Sequence, residues 1–72
     1  MPQGQQTIYD ELVDSAGGAR MLSLRDIARF FGKDDRAARK FARDKNLPRY
    51  NVNGVFCYAA RDVAGVLWNC EE

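Results

Sequence analysis

SLRDIARFFGKDDRAARKFARDKNLP, residues 23–48, decides the fold. It divides at Gly32 into two short amphipathic segments. Ser23 is a strong N-cap residue, because its side-chain oxygen can accept from a free backbone N–H in the first helical turn. Asp26, three residues on, completes a capping-box spacing and places negative charge where the helix dipole favours it. Leu24, Ile27, Ala28 and Phe31 follow at the i, i+3, i+4, i+7 spacing of one buried stripe. Gly32 closes the segment, since glycine takes the left-handed conformation that ends a helix. Lys33-Asp34-Asp35 is the turn into a second helix, with Asp34 as its cap and Asp35 as a first-turn acid. That helix is predicted over Asp35 to Asp44. Asn46 stops it, and Pro48 disfavours helix at Leu47 and turns the chain extended.

The second helix is two-sided. At about 100° per residue, Arg36, Arg39, Lys40 and Arg43 share one face spanning about 100° of arc. Ala37, Ala38, Phe41 and Ala42 occupy the other. The alanines allow close packing against the preceding helix, and Phe41 fills the core. One side is suited to packing and the other to an anion.

Downstream, Arg49 to Val52 and Val55 to Tyr58 read as two strands. Asn53-Gly54 between them is a strong signal for a hairpin. A two-residue turn pairs Val52 with Val55. A three-residue loop sets Val52 opposite Phe56 and points Phe56 and Tyr58 into the core. A last helix is predicted from Ala60 to Trp68, with Val63, Val66 and Leu67 as its stripe and Trp68 covering the core. Upstream, Met21 and Leu22 form a short extended stretch. Before them a helix is expected from Ile8 to Ser15, capped by Thr7 with Asp10 three residues on, striped by Ile8, Leu12 and Val13, and ended by Gly17-Gly18. Residues 1–6 are expected to be a flexible tail, and residues 7–72 a single domain, mainly α with a small β-hairpin.

The 46% hydrophobic and 29% charged residues, with eight aromatics, are the proportions of one folded domain and exclude a disordered tail. No apolar run approaches the roughly 18 residues needed to cross a bilayer, and residues 1–6 carry no signal pattern, so a cytoplasmic protein is expected. The chain has no histidine. That removes the commonest general base and every Ser–His or Cys–His nucleophile pair. Asp10, Glu11, Asp14, Asp26, Asp34, Asp35 and Asp62 fall mostly at helix starts or on solvated faces, and there is no glycine-rich phosphate loop. No enzyme is expected, and no cofactor. Cys57 and Cys70 lack metal-ligand spacing. Cys57 is read as a small apolar strand residue and Cys70 as a free thiol without a role.

Net charge is +1, but its distribution is uneven. Residues 1–19 carry three acids and no base; residues 20–49 carry ten Lys and Arg against four acids; residues 50–72 carry one Arg and three acids. A central block of this kind is the footprint of a phosphate-binding element.

The joint spacing of Ser23-Leu24-Arg25-Asp26-Ile27-Ala28, Gly32 to Asp34, Ala38, Phe41 and Leu47-Pro48 resembles the excisionase and MerR-type winged helix-turn-helix domains, over about residues 21–68. The resemblance implies that the helix after Gly32 is a recognition helix entering the DNA major groove, and that the hairpin is a wing lying along the backbone or minor groove. It implies double-stranded DNA as partner, with Arg36, Arg39, Lys40 and Arg43 as groove and phosphate contacts. Arg25 and Arg29 would clamp the backbone from the preceding helix, beside Lys33 in the turn. Arg49, Asn51 and Asn53 would reach from the wing. The implied role is an excisionase-like recombination directionality factor of a phage or mobile element. A small phage transcriptional regulator and the DNA-binding part of a terminase small subunit fit the same pattern. Many members carry Arg or Lys just after the wing glycine, where this chain has Val55 and Cys57. The N-terminal helix is an addition to the minimal pattern. That helix is expected to cap the core or to offer a dimer or partner surface; with the wing it stands as a surface for a recombinase, for another protein or for a second copy on DNA, and a protein-interaction module without DNA binding is the competing expectation.

Overall fold

The computed structural model describes residues 2–69; Cys70 lies outside the described residues. The described chain forms α1 (Gln3–Ser15), β1 (Met21–Leu22), α2 (Leu24–Phe31), α3 (Asp35–Asp44), β2 (Tyr50–Val52), β3 (Val55–Ala59) and α4 (Ala60–Asn69). It is mainly helical, with one small antiparallel sheet.

The central helices form as their caps dictate. The Ser23 hydroxyl accepts from the Asp26 N–H at 3.2 Å, and the Asp26 carboxylate accepts from the Ser23 N–H at 3.1 Å, a complete capping box. Asp34 accepts from the Ala37 N–H at 2.9 Å and opens α3. Three helices close by one device. A left-handed residue (Gly17, Gly32 or Asn46) donates to a carbonyl three back, and the next residue donates to a carbonyl five back. The longer-range bonds are Gly18 to Val13 at 2.8 Å, Lys33 to Ala28 at 2.9 Å and Leu47 to Ala42 at 3.0 Å. These are Schellman closures, which satisfy carbonyls that a helix end otherwise leaves free.

Leu12, Leu22, Ile27 and Val63 are the largest fully buried side chains, one each from α1, β1, α2 and α4. Ala28, Ala38 and Ala42 are buried with them, and Phe31 meets Phe41 edge-on with ring centroids 4.9 Å apart. The expected stripes on α2 and α3 are the ones used. Small side chains bring the two helices close, and the aromatic pair fills the space beside them.

The sheet has the order β1-β3-β2. Val52 pairs with Val55, Asn51 with Phe56 and Tyr50 with Cys57, so the two-residue turn is the one formed, with Asn53 at φ 53° and Gly54 at φ 84°. Tyr58 is buried, but Phe56 is 49% exposed, which corrects the reading that points both into the core. The two residues share a face of β3. Exposure falls along β3, from Val55 and Phe56 beside the turn to buried Tyr58. Met21 and Leu22 pair with Ala59 and Tyr58, which makes β3 the central strand.

The N-terminal helix differs from expectation. It starts at Gln3, five residues before Ile8, and takes in residues assigned to a tail. Thr7 is not its cap: the Thr7 hydroxyl donates to the Gln3 carbonyl at 3.0 Å from within the helix, and Pro2 stands at the N-terminus with no side-chain cap bond. The cause is tertiary. Gly4 lies against Trp68 so closely that a Cβ there would overlap the indole, and Gln5 lies beside Gly65, so the first turn docks on α4. Trp68 accordingly packs against α1 and is half-buried.

Candidate functional site

Burial of Ala38 and Ala42 fixes the rotation of α3 about its axis, and the opposite face is then turned to solvent. Arg36, Arg39, Lys40 and Arg43 are all exposed there and line one concave surface. Asp34 is engaged as the cap of α3, and Asp35 and Asp44 are exposed at the two ends of the helix.

A second groove shares Arg39 and Arg43 with the first. It runs between the C-terminal half of α3 and the β2–β3 hairpin, lined by Arg39, Ala42, Arg43, Asn46, Leu47, Arg49 and Tyr58. Ala42, Leu47 and Tyr58 are buried and make an apolar floor, whereas the three arginines and Asn46 are exposed at the rim. The Arg49 guanidinium carbon sits 4.2 Å from the Phe56 ring centroid, within cation–π range.

The other expected site residues are placed less tightly. Arg25 and Arg29 are exposed four residues apart on α2, and Lys33 is exposed in the turn before α3; none of these lines either groove. Asn51 and Asn53 are exposed in the hairpin, where the Asn51 side-chain oxygen accepts from the Gly54 N–H at 2.9 Å and Asn53 takes a left-handed turn conformation. Both therefore have a structural task in shaping the turn. Sequence reasoning missed Phe56, Tyr58 and Asn46 as parts of the site. The signal for Phe56 was the turn length: once Val52 pairs with Val55, Arg49 stands diagonal to Phe56 across the hairpin.

Acidic Asp10, Glu11 and Asp14 are exposed on α1, so the charge asymmetry of the sequence persists as an asymmetry between elements. Met21, Tyr50, Val52 and Val55 are exposed apolar residues, and the register puts them on one face of the sheet with half-buried Cys57. Among the described residues no group of three or more His, Cys, Asp or Glu could hold a metal ion. No helix of the described residues is long and apolar enough to cross a membrane. No protein-family model, curated protein or solved structure matches the chain.

Proposed function

We propose that the chain is a winged helix-turn-helix protein that binds duplex DNA, with α2 and α3 as the helix-turn-helix and the β2–β3 hairpin as the wing. The observation that carries this reading is the two-sidedness of α3: alanines buried on one side, and Arg36, Arg39, Lys40 and Arg43 exposed along one concave surface on the other. A helix of this width and charge suits a major groove about 12 Å wide. Arg36 and Arg39, in the N-terminal half, are assigned to base edges, where a guanidinium can pair bidentately with guanine. Lys40 and Arg43 are assigned to phosphates, which set position and register. The chain does no covalent chemistry in this proposal. The resemblance of residues 21–68 to excisionase-type domains makes a recombination directionality factor the favoured role, with transcriptional regulation or DNA packaging as alternatives in the same class.

A second reading has its own observation. The exposed apolar face formed by Met21, Tyr50, Val52 and Val55 favours a protein-interaction module. One titration separates the two. Fluorescence anisotropy of a labelled mixed-sequence duplex is followed at several salt concentrations. With about four to six phosphate contacts, log K falls against log salt with a slope of roughly −4 to −5. The double variant Arg39→Glu, Lys40→Glu abolishes that binding and retains its fold. Absent or salt-insensitive binding of the parent protein at low ionic strength overturns the DNA reading.

A further inference from the structure

We infer that the groove between α3 and the hairpin holds one backbone phosphodiester of a DNA strand, and that Phe56 is the positioning residue that fixes the Arg49 guanidinium for it. This inference rests on the duplex-binding reading and assigns the second groove a task within it.

The groove has the composition such a ligand needs. Its rim carries the guanidiniums of Arg39, Arg43 and Arg49, and its floor is the buried set Ala42, Leu47 and Tyr58. A phosphodiester presents anionic oxygens joined to an apolar sugar ring, so charge at the rim and carbon at the floor match it in order. The floor also excludes water from one side of the charge pair, and guanidinium–phosphate hydrogen bonds strengthen as the local dielectric falls. Arg43, assigned to a phosphate, borders both grooves, so this groove continues the basic surface of α3.

Arg49 differs from the other two. Arg39 and Arg43 are mounted on a rigid helix, whereas Arg49 stands just before β2, after Pro48. A free arginine there loses rotamer freedom when it engages a phosphate. Stacking on Phe56 at 4.2 Å orders it beforehand, while leaving its hydrogen-bond donors in the guanidinium plane available. The platform is itself held. Phe56 pairs with Asn51, whose side chain ties down the turn through the Gly54 N–H. This accounts for a large aromatic left 49% exposed beside a basic groove.

The test is a double-mutant cycle on the full chain, read by anisotropy with a labelled 20-base-pair duplex across a salt series. Arg49→Gln is expected to flatten the salt slope by about one, as loss of a single phosphate contact does. Phe56→Leu keeps the slope within error and weakens binding about two- to fivefold, the range of an exposed cation–π contact. Phe56→Tyr, which retains a ring face, binds like the parent. In the Arg49→Gln background, Phe56→Leu has no further effect. Phe56 is half exposed, so these variants keep the parental circular dichroism spectrum. Parental affinity of Phe56→Leu overturns the inference, as does an undiminished Phe56→Leu effect in the Arg49→Gln background, which would mean that Phe56 acts independently of Arg49. An unchanged salt slope for Arg49→Gln, in a protein that otherwise binds duplex with strong salt dependence, overturns it and leaves the DNA-binding reading standing. Failure of the parent protein to bind duplex at all removes both.

Discussion

Gly32 occupies a left-handed conformation at φ 70°, with nothing within 4 Å of where a Cβ would stand. Any loss on substitution there is backbone strain alone, with no steric contribution from neighbours. Gly32→Ala is expected to lower stability by about 1 kcal/mol, and Gly32→Asn by less, because asparagine tolerates this conformation better. Asn46, at φ 53°, already does the same work at the end of α3. Urea denaturation checks the pair; equal midpoints for parent and Gly32→Ala would show that the closure of α2 does not need glycine. The basic residues were legible one by one, because exposure of Arg36, Arg39, Lys40 and Arg43 follows from the alanines that alternate with them. Asn51 was not. Its polar side chain suits a turn as well as a phosphate, and only its bond from the Gly54 N–H shows that the turn uses it.

At the scale of elements, α2 and α3 form as their local sequence dictates. Their caps, apolar stripes and closing residues agree with one another, so boundaries drawn from periodicity coincide with those formed. The Ser23 and Asp26 bonds are reciprocal, and this gives a prediction. Ser23→Ala is expected to lose about 1 kcal/mol, a fall in melting temperature of about 4–8 °C for a domain of this size. Adding Asp26→Ala lowers it by less than the sum of the single effects, since both bonds belong to one capping box. Additive losses in thermal melts would mean that each side chain acts alone. α1 shows the limit of local reasoning. Thr7 and Asp10 have capping spacing, yet Thr7 sits inside the helix and bonds back to the Gln3 carbonyl. A hydroxyl can satisfy either arrangement, and the choice between them was made by packing.

For the whole molecule, α1 is part of the core. Leu12 is fully buried, and Ile8, Tyr9 and Val13 pack against the buried cluster that contains it. Burial of one leucine is worth about 1.5–3 kcal/mol, and a domain this small has only about 3–5 kcal/mol to lose. A chain shortened to begin at Gly18 is therefore expected not to unfold cooperatively in urea when followed by circular dichroism. A sharp transition near the parental midpoint would make α1 an accessory to a smaller core. The sequence by itself determined the two central helices, the outward basic face of α3, the position of the hairpin turn and the segregation of acid from base. All of these are set by residues within a turn or two of one another, through periodicity, capping and left-handed stops. Only the tertiary structure decided where α1 begins, that Met21 and Leu22 join β3, and that Arg49 and Tyr58 meet α3 across a groove. Those outcomes depend on contacts between residues far apart in the chain, such as Gly4 with Trp68 and Leu22 with Tyr58, whose energies no local pattern encodes.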